Sequence, residues 1–197
     1  MKQTIGQVQR SASDKLLQNI GDYFAYSNSV NPSMKKTRYC RFFNENLGAV
    51  PLRFGEVAEL LLATKREYPA FDSAPYSFAP HCDAIDFGRD PRWPINLNKE
   101  QVGAFILIQK SENQAGFVMW DVTVKSRDEL DRFASEYAET QQIAAAKDAK
   151  FLRITPGSGQ MCIFNSRYLH AVEKCASPRQ TIGTFLIEQD GGWAQFN

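Results

Sequence analysis

The sequence is poor in histidine, in paired cysteines and in long apolar runs. Its 197 residues include two histidines, His81 and His170, so any chemistry that needs imidazole must use one or both of them. The four cysteines form no C-x-x-C pair and are too few to staple a chain of this length, which favours reduced thiols and a cytoplasmic location. No apolar stretch is long enough to span a bilayer, and residues 1–7 lack the apolar core of a secretory signal.

An excess of charge of one sign is also absent. The 23 basic and 22 acidic residues leave a formal net charge of +1. A nearly neutral chain has no general electrostatic attraction to nucleic acid or to an anionic membrane, so we expect neither as a partner. Hydrophobic residues make up 43% of the sequence, which is enough for a well-buried core. We therefore expect one domain over residues 1–197, and the composition carries no signal of its oligomeric state.

The first third of the sequence has helical patterns. Residues 11–14 form an N-cap cluster, and apolar residues then recur at helical spacing. A second helix is predicted over 54–67, where the pair Tyr68-Pro69 ends it. We therefore expect residues 1–70 to form a helical support for the rest of the chain.

Beyond residue 71 the pattern changes to short β-type runs. A helix at about 127–147 interrupts them, and Ser126 with Glu129 fits a capping box at its start. Closely spaced strands favour a sandwich or a barrel, so we predict a mainly β core with flanking helices over 71–190. The predicted strands are rich in β-branched and aromatic residues and cover 77–85, 102–109, 116–124, 151–155, 160–165, 169–175 and 179–188.

The tripeptide His81-Cys82-Asp83 lies on the first of these strands. Side chains at positions i and i+2 of a strand share a face, so His81 and Asp83 point to one side while Cys82 points away. His170 on a later strand would add a third donor, and two histidines with one carboxylate form the ligand set of non-haem Fe(II) sites. Taken alone, the tripeptide is also compatible with a hydrogen-bonded structural histidine.

Arg179 follows His170 by nine positions, with a turn over 174–178 between them. If the two strands form a hairpin about this turn, Arg179 and His170 lie opposite each other. An arginine that faces a pocket beside a metal ligand is suited to bind a carboxylate in a bidentate manner. Thr181 shares its face and can add a hydroxyl donor. The alternative is a solvated charge at the end of a strand.

Together these segments resemble the 2-oxoglutarate/Fe(II)-dependent dioxygenase family. The resemblance covers about residues 75–188. It consists of the H-x-D motif at 81–83, a Pro-Gly turn followed by an apolar strand that ends in F-x-S at 164–166, the distal His170, and Arg179-Gln180-Thr181. It implies a double-stranded β-helix, which is a jelly-roll, cupin-like barrel, here with N-terminal helices and one inserted helix.

The resemblance also implies a cofactor and cosubstrates. His81, Asp83 and His170 would bind Fe(II), and 2-oxoglutarate and dioxygen would be consumed with release of succinate and CO₂. The distal carboxylate of 2-oxoglutarate would be held by a basic residue after the distal histidine, with polar side chains nearby as further contacts. The residues implied for the cosubstrate are Arg179, Thr181 and Gln109.

The implied reaction is oxidation of a C–H bond, most often hydroxylation. The balanced charge favours a small molecule, such as an amino acid or a natural-product intermediate, over nucleic acid. Tyr76, Arg92 and Trp93 flank the iron-binding strand, where members of the family build substrate loops, so they are candidate substrate contacts. Arg92 and Trp93 are also compatible with ordinary loop surface.

Three other functions stay open from the sequence. A peptide or protein side-chain hydroxylase of the same family would have a similar small barrel. A cupin-type metalloenzyme that does not use 2-oxoglutarate would usually contain an H-x-H motif, which this chain lacks. In a jelly-roll binding module without catalysis, both histidines would be structural. A visible absorption band on anaerobic addition of 2-oxoglutarate to the iron-loaded protein is expected only for the 2-oxoglutarate-dependent enzymes.

Overall fold

The computed structural model describes residues 29–54, 58–59, 62–70, 73–83, 101–189 and 191–196. Helical turns over 29–34 precede the helices α1 (Arg38–Leu47), α2 (Arg127–Thr140) and α3 (Ala144–Lys147). The strands are β1 (Val50–Pro51), β2 (Arg53–Phe54), β3 (Ala58–Glu59), β4 (Thr64–Tyr68), β5 (Tyr76–His81), β6 (Gln101–Gln109), β7 (Phe117–Thr123), β8 (Phe151–Ile154), β9 (Met161–Asn165), β10 (Tyr168–Glu173), β11 (Arg179–Gln189) and β12 (Gly192–Phe196). The described chain is therefore mainly β.

Two sheets enclose the interior of the barrel. The six-stranded sheet has the order β1-β12-β11-β6-β9, and β4 pairs with Arg179–Gly183 of β11, on the edge whose other half pairs with β12. The four-stranded sheet has the order β5-β10-β7-β8, and β2 with β3 forms a separate small pair. Between β4 and β11 the chain crosses from one sheet to the other at nearly every connection, and the pairs within both sheets are antiparallel except β1 with β12. This winding is the predicted double-stranded β-helix.

Helices cover the outer faces of the two sheets. Leu169 and Ala171 of β10 are fully buried in an apolar cluster with Phe133 of α2. His170 lies between them, and because strand side chains alternate, it points to the opposite face, into the barrel. On the other sheet, Phe43 of α1 packs in a cluster with Leu186 of β11. The inward faces of the strands are thereby left free to form the site.

The predicted helix over 127–147 is present as two helices. Ser126 caps α2 by accepting a hydrogen bond from the Glu129 amide, and the Glu129 side chain accepts one from the Lys125 amide. The first bond is the one that the predicted capping box requires, whereas in the second the Glu129 side chain reaches the amide of Lys125 rather than that of the N-cap residue Ser126. Helix α2 ends before residue 147 because Gln141 adopts a left-handed conformation, with φ of 57°. The Gln141 backbone amide donates a hydrogen bond to the Tyr137 carbonyl.

The helix predicted over 54–67 is wrong. The described residues of this range contribute to β2, β3 and β4, and β4 pairs antiparallel with β11 from Thr64–Gly183 to Tyr68–Arg179. Thr64, Arg66 and Tyr68 are less exposed than the residues between them, which is the period of a half-buried strand. Pairing with β11 therefore outweighs the local helical pattern. The helix predicted after residues 11–14 lies outside the described residues, whereas α1 and β12 were not predicted.

Two expectations from composition can be compared with the structure. All four cysteines are buried and free. Among the helices of the described residues, none combines the length and the apolar character that a membrane span requires.

Candidate active site

His81, Asp83 and His170 come together inside the barrel. His81 on β5 and His170 on β10 are cross-strand partners, and Asp83 follows directly after β5. Asp83 Oδ2 lies 3.1 Å from His170 Nε2, and Asp83 Oδ1 lies 3.8 Å from His81 Nε2. One donor atom from each residue falls within 4.8 Å of the others, so the three can converge on one metal ion.

Backbone carbonyls orient both imidazole rings. His81 Nδ1 lies 2.7 Å from the Ala79 carbonyl oxygen, and His170 Nδ1 lies 2.8 Å from that of Tyr168. Because a carbonyl can only accept, each Nδ1 must carry the hydrogen, and a neutral ring then turns the lone pair of Nε2 toward Asp83. His81 Nε2 is buried and has no hydrogen-bond partner among the described residues. A cation between these atoms would satisfy all of them.

The electrostatics keep these groups in their metal-binding forms. Burial, followed by the charge of His170, lowers the pKa of His81 to about 3, so this ring is neutral at physiological pH. Burial opposes ionisation of Asp83. The positive charge that His81, and then His170, carries at low pH outweighs it, so the pKa of Asp83 lies below its usual value. The site therefore presents a carboxylate and a neutral imidazole, which are the forms that bind metal.

The F-x-S segment after β9 fixes the backbone of Asp83. The Asp83 amide donates to the Ser166 carbonyl at 2.9 Å. The Ser166 hydroxyl lies 3.0 Å from the backbone carbonyl oxygens of both Asp83 and Gln101. The side-chain Nε2 of Gln101 donates to the same Asp83 carbonyl. Ser166 is fully buried. These bonds attach the backbone at the end of the His81-Cys82-Asp83 segment to the six-stranded sheet.

The triad lies in the wall of a cavity that is partly open to solvent. Both sheets contribute to its walls, and aromatic rings surround the histidines. The Phe78 ring lies 4.2 Å from the His81 ring, and the Phe164 and Phe117 rings lie 5.0 and 5.3 Å from the His170 ring. Apolar walls of this kind exclude water from the space around the donor atoms.

Arg179 lines the same cavity from the six-stranded sheet. It is 1% exposed, and its guanidinium lies over the rings of Tyr68 and Phe105 at 5.3 and 5.6 Å. Its Nε and Nη2 are buried and have no hydrogen-bond partner among the described residues. Burial lowers its pKa from the usual arginine value. A buried cation with unused donors that faces a cavity is suited to a carboxylate ligand.

The predicted hairpin between His170 and Arg179 is wrong. Strand β10 pairs with β5 and β7, whereas β11 pairs with β4, β6 and β12. The turn over 174–178 carries the chain from one sheet to the other rather than back along the same sheet. His170 and Arg179 therefore reach one cavity from facing sheets. Thr181 is buried beside Arg179 on β11 and also lines the cavity.

Gln109 and Tyr76 do not line the cavity, and a β-bulge explains the first result. Along β6 the pairing with β11 jumps from Leu107 to Gln109, so Gln109 turns outward, where its side chain donates to the Pro178 carbonyl at 3.1 Å. Along β5 the pairing with β10 shifts on both sides of Phe78, which brings Phe78 to the face of His81. Tyr76 stays on the opposite face and packs against Trp120, with ring centroids 5.7 Å apart. Arg92 and Trp93 lie outside the described residues.

Two residues of the site were missed from the sequence. Arg66 and Tyr68 on β4 both line the cavity, and Arg179 is the cross-strand partner of Tyr68. Both fall in the segment around the wrongly predicted helix. The signal that could have identified them is the alternation of Thr64, Arg66 and Tyr68 ahead of Pro69, which is typical of a short strand.

Solved structures of an N-substituted L-amino acid dioxygenase from Burkholderia ambifaria AMMD are similar to this chain. One covers 100% of this chain and 77% of its own at 42% identity, with a TM-score of 0.85. Another, in complex with α-ketoglutarate (2-oxoglutarate), covers the same shares at 41% identity, with a TM-score of 0.83. The chain belongs to the 2-oxoglutarate/Fe(II)-dependent dioxygenases. No protein-family model and no curated protein matches it.

Membership in the dioxygenase family confirms the fold and the resemblance seen in the sequence. The protein is an enzyme whose cofactor is Fe(II) and whose cosubstrates are 2-oxoglutarate and dioxygen. A cupin-type enzyme that does not use 2-oxoglutarate and a binding module without catalysis are thereby excluded.

Proposed function

We propose that this dioxygenase binds Fe(II) through His81, Asp83 and His170. The convergence of their donor atoms within 4.8 Å is the observation that carries the proposal. The residues fit the metal, because His81 Nε2 has no partner in the described chain and both Nδ1 hydrogens are already used by carbonyls. Two histidines and one carboxylate leave coordination positions open for other ligands. Bound there, Fe(II) supplies the activation of dioxygen and the oxidative decarboxylation of 2-oxoglutarate.

Arg179 binds the distal carboxylate of 2-oxoglutarate in this proposal. Two of its donor nitrogens are buried without a partner in the described residues, and a carboxylate would accept from both. Tyr68 and Phe105 hold the guanidinium plane by stacking, and Thr181 supplies a nearby hydroxyl. Gln109 has no part in this binding, because its side chain lies outside the cavity.

The substrate we propose is an N-substituted L-amino acid, and the reaction is oxidation of one of its C–H bonds, most simply hydroxylation. The support is the similarity at 42% identity over the whole chain to a dioxygenase described as acting on such compounds. A small molecule also suits a cavity whose walls carry several aromatic rings and a few polar groups.

The cosubstrate part is tested by anaerobic titration of the Fe(II)-loaded protein with 2-oxoglutarate. We expect a visible metal-to-ligand charge-transfer band that saturates at one equivalent of 2-oxoglutarate per iron. Admission of air with substrate should then yield succinate. Absence of the band at saturating 2-oxoglutarate would overturn the assignment of the triad and of Arg179.

The substrate part is tested by following succinate against a matched panel. The panel contains N-acyl and N-alkyl L-amino acids, the corresponding free amino acids, and short peptides of the same residues. We expect the N-substituted amino acids to stimulate succinate formation above the uncoupled background and to gain oxygen by mass spectrometry. Stimulation by the peptides alone would favour a peptide side-chain hydroxylase instead.

A further inference from the structure

The cavity contains a second arginine that binding of 2-oxoglutarate at Arg179 does not use. Arg66 lies on β4 directly across from Thr181, one inward position from Tyr68, and it lines the cavity with the metal triad. Inward positions on a strand lie about 7 Å apart along the chain, so Arg66 and Arg179 occupy different parts of the cavity.

The surroundings of the two arginines differ. The charge of Arg66 acts on His81 and Asp83 and lowers the pKa of both. Tyr68 acts on both arginines, and the other titratable groups that act on Arg179 are Cys175 and Cys162, with none of the metal triad among them. Arg66 and Arg179 thus line one cavity from different strand positions, and Arg66 is the one whose charge acts on the metal triad.

Arg66 has unused hydrogen-bonding capacity. Its Nε is buried and has no hydrogen-bond partner among the described residues. Asp83 is the one carboxylate among the described lining residues, and its short contacts are to the two histidines. A buried guanidinium with a free donor is stabilised by an anionic ligand.

The charges of the loaded cavity point to the source of that anion. Among the described lining residues, two arginines and Asp83 leave one positive charge. Fe(II) adds two positive charges and the 2-oxoglutarate dianion cancels two, so one positive charge still remains. In a largely apolar cavity an unmatched charge is costly. A substrate with one carboxylate would neutralise it.

We propose that Arg66 binds the carboxylate of the substrate beside the metal triad, and that this enzyme therefore selects anionic substrates. The inference rests on the function proposed above and assigns the residue that recognises the acid group. A carboxylate held at this point fixes one end of the substrate, so the reacting carbon is positioned by its distance from the acid.

The test compares Arg66→Gln with Lys65→Gln, whose side chain is exposed on the opposite face of the same strand. The probes are an N-acyl L-amino acid that the wild type oxidises and its carboxamide. We expect the KM for the acid to rise at least about thirtyfold in Arg66→Gln, the lower end for loss of a buried charged pair. Arg66→Lys should recover part of the loss, and Lys65→Gln should behave as wild type.

Two comparisons separate this inference from the function on which it rests. The anaerobic 2-oxoglutarate titration without substrate should be unchanged in Arg66→Gln, and equal weakening there would move the contact to the metal-proximal carboxylate of 2-oxoglutarate and overturn our assignment. In the wild type, the carboxamide should be a much poorer substrate than the acid, a result that needs no folded variant. Equal use of acid and carboxamide, or turnover of uncharged compounds only, would refute the role of Arg66 while leaving the dioxygenase activity in place.

Discussion

The four-stranded sheet and the six-stranded sheet face one cavity with different side chains. The four-stranded sheet carries His81 and His170, with Asp83 after β5. The six-stranded sheet carries Arg66 and Arg179 on the adjacent strands β4 and β11. One side of the barrel thus offers neutral and anionic donors for a metal, and the other offers cations for carboxylates. A ligand that contacts both sheets would be an anion that also reaches the metal, as we propose for 2-oxoglutarate.

The largest effect is expected from the four-stranded sheet. His170→Ala removes one of three donors, and since His170 is 3% exposed no water can substitute for it without rearrangement. We expect loss of iron binding and of all succinate formation. Iron stoichiometry and product analysis measure both, with thermal unfolding as the check that the barrel is intact. Retention of wild-type iron stoichiometry would show that His170 is not a ligand.

Arg179→Gln should have a smaller effect than His170→Ala, and it should act on cosubstrate binding rather than on iron binding. Iron binding should persist, while the binding free energy of 2-oxoglutarate should weaken by about 2–5 kcal/mol, the usual loss when one partner of a buried charged pair is removed. The anaerobic charge-transfer titration measures this shift. Arg153→Gln is the matched control, because Arg153 pairs with Glu173 at the exposed surface of the four-stranded sheet. Unchanged 2-oxoglutarate dependence in Arg179→Gln would show that the six-stranded sheet does not bind the cosubstrate through this arginine.

The smallest effect is expected within the six-stranded sheet, at the aromatic ring that faces His170. Gly103 on β6 lies beneath the Phe164 ring, and a Cβ at this position would come within 2.5 Å of that ring. Gly103→Ala should therefore push Phe164 toward His170 and destabilise the protein by about 1–3 kcal/mol. Denaturant unfolding measures the loss, and a shifted charge-transfer band would report the movement. An unchanged midpoint would mean that the ring has room to move elsewhere.

Much of this site could be predicted from the sequence, because the relevant signals are local. The H-x-D motif places two donors on one face of a strand, and the strands that carry His170, Arg179 and Thr181 are rich in β-forming residues. The roles of these residues stay predictions until tested. Their positions in one cavity agree with the expectation.

The errors came from features that are not local. A β-bulge reverses the face of Gln109, and a simple alternation cannot show an inserted residue. Tyr76 lies five positions before His81, so alternation along β5 already places it on the other face. Arg66 was missed because helical spacing near residue 60 resembled an amphipathic helix, whereas pairing with β11 decides its conformation. The hairpin between His170 and Arg179 failed for the same reason, because a turn sequence does not say which sheet receives the next strand.

The two carbonyl contacts to Nδ1 have a consequence for how this site tolerates sequence change. The acceptors belong to the main chain of Ala79 and Tyr168, each two residues before the histidine that it orients. Any amino acid at either position offers the same oxygen as long as the strand keeps its path. The aim of both rings is thus encoded by backbone geometry, and it can persist while the side chains at those positions vary freely.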